Sequence, residues 1–249
     1  MPRATVGTHN NRANKRGGQG LAGLPEIRDK RWREFFLQPT IEVARGLIGA
    51  TLRRTLAPSG IDEGGEAAGR IVETEAYLPL VDPACHGFRG PTRRAATIFG
   101  RPGHAYVYFI YGMYNCFNVT TEPPGIGGAV LIRALEPVAG LDLMRNRRAP
   151  GTADAALARG PGNVCRALGI DRRLDGCDLR AGELTLELAN EETSTLVAVG
   201  PRVGIRVAPD WPLRFADLAS ASVSPPRKNL KISRDHSDIP RARASPSVR

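Results

Sequence analysis

The chain has 249 residues, of which 41% are hydrophobic and 24% charged, the proportions of an ordinary soluble globular protein of one large domain. No apolar run reaches the roughly 18 residues that a membrane span needs, and the basic N-terminus MPRATVGTHNNRANKRGG lacks the apolar stretch of a secretory signal. Cys85, Cys116, Cys165 and Cys177 form no CxxC pair and no spaced Cys/His ligand set, so neither a disulfide framework nor a structural metal is expected, and the location expected is cytoplasmic.

The net charge of +10 is unevenly placed. Residues 1–20 and 224–249 supply nine of the ten positive charges, and the body between them is close to neutral. Basic tails suit an acidic polymer, because neutralising phosphates releases condensed counterions. They suit equally a pair of solvated ends that aid solubility. Residues 1–24 and 224–249 have no periodicity and are expected to be disordered, which leaves 25–223 as one folded domain.

In chain order, Thr40 is placed to cap a helix that buries Ile41, Ala44, Leu47 and Ile48 and stops at Gly49. GRIVETEAY (69–77) reads as a strand whose period of two puts Ile71, Glu73, Glu75 and Tyr77 on one face. HAYVYFIY (104–111) is a second strand, and Tyr111-Gly112-Met113 a turn into a third, 114–120. GAVLIRALE (128–136) is a fourth, after which Pro137 is expected to open a helix to about Arg148. A further helix follows Gly160-Pro161-Gly162 and ends at Gly169; 183–189 and 194–208 read as strands. Consecutive strands with hairpin-sized links and helices between groups point to an α+β domain: a largely antiparallel sheet flanked by helices, with a protruding hairpin.

The chemistry concentrates between Glu73 and Arg133. No acidic residue lies between Asp82 and Glu122, while Arg89, Arg93, Arg94 and Arg101 do, as do Tyr106, Tyr108, Tyr111 and Tyr114, four of the five tyrosines. Arginine interleaved with aromatic rings suits base stacking and phosphate binding; a tyrosine-rich sheet core with a solvated arginine loop is the plainer reading. A carboxylate at Glu75 inside an apolar strand must pair with a cation or hold a water for attack, and Glu73 is its twin. A salt bridge to Arg133 is open to either. His86 and Asn118 could be satisfied core polar groups. A metal-dependent hydrolase using Asp82, Cys85 and His86 lacks a fourth well-spaced ligand.

IVETEAYLPLVDPACHGFRG, HAYVYFIYGMYNCFNV, AVLIRALEP and ARGPGNVCRALGI, in this order from about Thr40 to Phe215, closely resemble the alkyladenine (3-methyladenine) DNA glycosylase family. The resemblance implies a single mixed domain with a curved antiparallel sheet, acting as a monofunctional hydrolase of N-glycosyl bonds without lyase activity. Its substrates would be alkylated or deaminated purines in duplex DNA, the 3-methyladenine, hypoxanthine and ethenoadenine class. It implies Glu75 as general base with Arg133 positioning the attacking water, and a flipped base held between Tyr77 and the pair Tyr108 and His86. Backbone groups of Ala84 and His86 would meet the base edge, Asn118 would stand at the pocket floor, and Tyr111 would wedge into the DNA. It implies double-stranded DNA as partner, no cofactor, no metal, no membrane, a monomer, and a place at the nucleoid, or in the nucleus of a eukaryote. A non-catalytic lesion-binding protein on the same fold is the alternative. Asn163, where a lysine is common, and the loop 122–128 depart from the pattern and bear on DNA contacts and substrate range.

Overall fold

The computed structural model describes residues 25–58, 64–190 and 196–232. The N-terminal tail 1–24 and the last part of the C-terminal tail, 233–249, lie outside the described residues. Two helices, α1 (Pro25–Phe36) and α2 (Thr40–Gly46), precede the strands β1 (Thr51–Leu56), β2 (Gly65–Tyr77), β3 (Ala105–Ile110), β4 (Tyr114–Thr120) and β5 (Ala129–Ala139). The helices α3 (Leu141–Asn146) and α4 (Pro161–Leu168) follow, then β6 (Leu184–Glu187), β7 (Val197–Gly200), β8 (Arg214–Asp217) and β9 (Lys231–Ile232). The pairings are antiparallel, in the order β3-β4-β5-β2-β8-β7-β9, with β1 joining β2 to β6. The fold is thus the expected α+β domain.

β2 is the spine of the sheet. β5 runs along one side of it from Ala68 to Tyr77, but its other side changes neighbour, from β1 over residues 65–70 to β8 over 73–75. At the changeover the β2–β5 register slips twice: Ile71 faces Leu135 and Glu73 faces Ala134, skipping Val72, and Thr74 then faces Ile132, skipping Arg133. Two adjacent residues on a bulge point to similar sides and reset the alternation. Ile71 therefore packs in the core beneath α2 with Ala76 and Ile132, and the Thr74 hydroxyl donates to the α2 carbonyl of Ala44. Val72 packs in a different cluster, with Ala134, Ala216 and Val223. This corrects the expected face: Ile71 does not share one with Glu73, Glu75 and Tyr77. A period-two reading carries no information about an inserted residue.

The main core packs Phe36, Val43, Val164 and Leu168 of the helices, with Leu47 just after α2, against Phe117, Val130 and Ile132 of the sheet. Each such side chain contributes about 1.5–3 kcal/mol on burial. Ile41, Ala44, Leu47 and Ile48 are buried as expected, but α2 ends at Gly46, and Leu47 and Ile48 lie in the turn that leads to Gly49 with its φ of +94°. Thr40, however, is the first residue of α2 and not its cap. Its N–H and hydroxyl both donate to Glu122, at 2.9 and 2.5 Å, so a carboxylate from a distant loop caps the helix. The helix expected at Pro137 is also corrected. β5 continues through Pro137 and Val138, and α3 begins only at Leu141, after Gly140 at a φ of +69°. β4 pairs with β5 only up to Leu131, so at Pro137 a missing N–H can face an open edge.

The expected strand 194–208 is β7, four residues long, followed by a loop. The C-terminal boundary moves as well. Residues 224–232 are packed, with Ser224 and Leu230 buried and β9 paired to β7, so the disorder expected from Ser224 onward does not begin there. Composition flags that stretch as basic, but cannot register that its backbone closes over buried charges.

Candidate active site

The paired strands β3 and β4 put Tyr106 and Tyr108 on one face, their ring centroids 5.4 Å apart. The 3₁₀ turn Ala96–Phe99 packs Ile98 beneath them, with Tyr77 at the end of β2 completing a small cluster. Between these walls lies a cavity of about 120 Å³, lined by Tyr77, Ala84, His86, Tyr106, Tyr108 and Asn118 together with apolar neighbours that include Ile205. Every residue expected to hold the base therefore lines one cavity.

His86 stands at its mouth. Nδ1 lies 3.0 Å from the Tyr106 hydroxyl, and the imidazole meets the Tyr108 ring edge-on at 4.5 Å. Burial, assisted by the charge of Arg94, lowers its pKa from the ordinary 6.5, so the ring is neutral at pH 7. Burial also pushes the Tyr77, Tyr106 and Tyr108 hydroxyls above their usual range, which keeps the walls uncharged. Arg94 lies over Tyr108, 5.5 Å from its centroid. Asn118 is buried at the floor opposite Tyr106 in the β3–β4 register, and its Nδ2 donates to the Tyr106 carbonyl at 3.1 Å. It bonds to backbone, as the plainer reading held, and lines the cavity as well. The Ala84 N–H donates to Asp82 Oδ1 at 3.0 Å, so of its two backbone groups only the carbonyl is left for a ligand.

Glu75 sits directly behind the Tyr77 wall and is fully buried. Its Oε2 accepts the Tyr77 hydroxyl at 2.9 Å; Oε1 accepts the Val203 N–H at 2.7 Å and lies 3.3 Å from Arg133 Nη1. A carboxylate offers about four lone-pair sites, and these three partners are the ones among the described residues. Glu73 is differently placed. Its Oε1 takes Arg133 Nε at 3.0 Å, Arg214 Nε at 2.7 Å and the Ser224 hydroxyl at 2.8 Å, while Oε2 takes the Ser224 N–H at 2.7 Å. Arg133 bridges both carboxylates. Burial works against its charge, but Glu75 and Glu73 outweigh that and hold its pKa above the ordinary value. The ion pair and the site beside the cavity are thus one arrangement.

Tyr111 is far from this cluster. It forms the tip of the β3–β4 hairpin with 81% of its surface exposed, flanked by exposed Phe109 and Met113. Tyr111 and Gly112 have φ of +53° and +68°, and the Met113 N–H closes the turn onto the Ile110 carbonyl. Such a turn matches the twist of the two strands, but it holds a non-glycine residue in a left-handed conformation. Tyr114 points elsewhere, its ring covered by Arg166 at 4.8 Å.

Asp82, Cys85 and His86 do not gather as ligands. Asp82 is ion-paired with Arg202, Cys85 is pushed up to about 12 by burial, and His86 faces Tyr106. Among the described residues no three His, Cys, Asp or Glu side chains are placed to share a metal ion, and no helix is long and apolar enough to cross a membrane.

Sequence reasoning missed Arg202, Val203, Arg214 and Ser224. A signal existed for the first two: Pro201 and Gly204 interrupt the alternation of 194–208, and both residues argue against a continuous inner strand. Nothing local marks Arg214 or Ser224.

Comparison with known proteins places the chain among relatives of one family. Residues 34–221 match the family described as methylpurine-DNA glycosylase. A protein of Methanocella arvoryzae is 46% identical over 196 residues, covering 77% of this chain and 94% of the relative. One of Burkholderia lata is 48% identical, covering 78% and 90%, and one of Nocardia farcinica 47%, covering 75% and 86%. All three are provisionally named 3-methyladenine DNA glycosylase.

Proposed function

The chain belongs to the methylpurine-DNA glycosylase family, and from that premise we propose that it is a monofunctional glycosylase of base excision repair. It takes an alkylated or deaminated purine out of duplex DNA and hydrolyses the bond between base and deoxyribose. The observation that carries this reading is a buried carboxylate, Glu75, bonded to the wall of an aromatic slot.

Tyr111 enters the DNA at the hairpin tip and fills the gap left by the everted nucleotide, offsetting part of an unstacking cost of a few kcal/mol. The base stacks against Tyr77 and is met from the other side by Tyr108 and His86. Electron-poor purines gain most from aromatic faces, and a neutral His86 does not repel a cationic one. The Ala84 carbonyl and the backbone of His86 meet the base edge, and Asn118 crowds the exocyclic 2-amino group of guanine. Glu75 takes a proton from the water that attacks C1′ while Arg133 helps to hold that water, a role worth about 10²–10⁴-fold in rate. The carboxylate also opposes the positive charge that grows on the sugar. An alkylated base leaves readily and needs little acid assistance. No lysine lines the slot, so no Schiff base is invoked. The chemistry calls for no cofactor, and the protein acts as a monomer at cytoplasmic, nucleoid or nuclear DNA.

The test uses duplexes carrying 3-methyladenine, hypoxanthine or ethenoadenine, followed by analysis for free base and for strand breaks. Free base with an intact strand is expected. Lesion binding without release would make the protein a non-catalytic lesion binder, and strand cleavage would overturn the hydrolytic route.

A further inference from the structure

The loop after β7 supplies a residue that the reading above does not use. Arg202 and Asp82 form a bidentate pair, Nη1 to Oδ2 at 2.5 Å and Nη2 to Oδ1 at 2.9 Å, with side chains 1% and 0% exposed. The same Nη1 donates to the carbonyl of Ala76 at 3.1 Å, the backbone group between Glu75 and Tyr77. The guanidinium lies over the Tyr77 ring, 4.6 Å from its centroid. The next residue, Val203, is the one whose N–H donates to Glu75. Asp82 in turn accepts the N–H of Ala84 at its side chain and of Cys85 at its carbonyl, shaping the turn that delivers Ala84 and His86 to the cavity.

We propose that Arg202, locked by Asp82, is the positioning residue of the site, holding Glu75 and Tyr77 in one fixed relation to the loop that carries His86. One ion pair ties the end of β2 and the 82–86 turn that soon follows it to the 201–205 loop, with Arg202 120 residues beyond Asp82. Stability does not explain the choice of residues. A buried pair of this kind can be replaced by apolar side chains at little or no cost in stability, and here Nε of Arg202 is buried without a partner among the described residues. Geometry does explain it. Only a planar fork meets a carboxylate, a carbonyl and a ring face at once, and a lysine ammonium cannot. Arg202 covers one face of Tyr77 without lining the cavity, which leaves the other face as a fixed stacking platform. The reaction depends on such placement, because a displacement of about 1 Å in a catalytic group can cost about 100-fold in rate.

The inference rests on the proposed glycosylase activity, and the experiment separates the two. Arg202→Lys and Asp82→Asn are compared with the wild-type full chain by single-turnover base release at saturating enzyme and by equilibrium binding of the same lesion duplex. Release is expected to slow about 10- to 100-fold in each variant while the dissociation constant changes less than about threefold. The double variant is expected to be no slower than the slower single one, since the two act as a unit. Folded Arg202→Lys that releases base at the wild-type rate overturns the proposal. So does a loss confined to the fraction of folded protein, measured by titrating binding-competent molecules, because that is what a merely structural pair produces. If Arg202→Lys does not fold, Asp82→Asn carries the same readout. A wild-type protein that releases no base overturns the glycosylase reading instead and is recognised in the control.

Discussion

Glu73 and Glu75 lie two residues apart on one strand, both fully buried and both bonded to Arg133, yet their surroundings differ. Around Glu73 two arginines, a hydroxyl and a backbone N–H saturate the carboxylate, and Arg214 passes on to the carbonyls of Ser224 and Pro226, which shuts the region under the C-terminal segment. Around Glu75 the donors are a tyrosine hydroxyl, a backbone N–H and one edge of Arg133, and the far side of the tyrosine is a cavity. A saturated carboxylate is a structural anion. A carboxylate with three donors among the described residues, set beside a cavity, is the one to which the proposed general-base role belongs.

The largest expected effect tests that contrast directly. Glu75→Gln should lower single-turnover base release by about 10²–10⁴-fold while lesion DNA still binds. A variant that excises at the wild-type rate breaks the assignment. Glu73→Gln should act mainly on stability, losing about 3–5 kcal/mol in urea unfolding because Arg133 and Arg214 are left as buried, under-compensated charges. If Glu75→Gln were the more destabilising of the two, the roles would have to be exchanged.

The hairpin tip offers a third measurement, since it is exposed where both glutamates are buried. Tyr111→Gly should relieve a left-handed residue and stabilise the fold by roughly 1 kcal/mol. It should weaken lesion-DNA binding at the same time if the ring is the proposed wedge. Stability and affinity that fall together would argue that the tip is structural.

The smallest effect is the pH dependence at the cavity mouth. His86 has a folded-state pKa below 6.5, through burial first and Arg94 second, so the unfolded chain binds the extra proton. Its contribution to stability is complete above pH 6.5 and is lost as the pH falls below that value towards the folded-state one. His86→Gln should flatten this limb of a Tm-versus-pH series, and an unchanged limb would assign the dependence to another group.

Much of this arrangement is legible in the sequence. The strands 105–110 and 114–120, the turn at Tyr111 and the helix ending at Gly169 follow from local rules: alternation, positive-φ residues and termination by glycine. The residues around the slot were named through family resemblance, whereas residue spacing left Glu73 and Glu75 equivalent. Apart from Tyr77, the partners that tell them apart lie 128 to 151 residues away in the chain.

What the amino-acid sequence determined alone is therefore the strands from Gly69 to Glu136, the helices after Thr40 and Gly160, the antiparallel class of the sheet, and the gathering of acid, histidine and tyrosine within 73–133. The tertiary structure alone decided which carboxylate is saturated, that two bulges turn Ile71 away from its neighbours, and that Arg202 and Ser224 close the site. The physical reason is range. Alternation and turn chemistry act between residues a few positions apart, whereas the charge and hydrogen-bond environment of a buried group is set by whatever the fold brings against it.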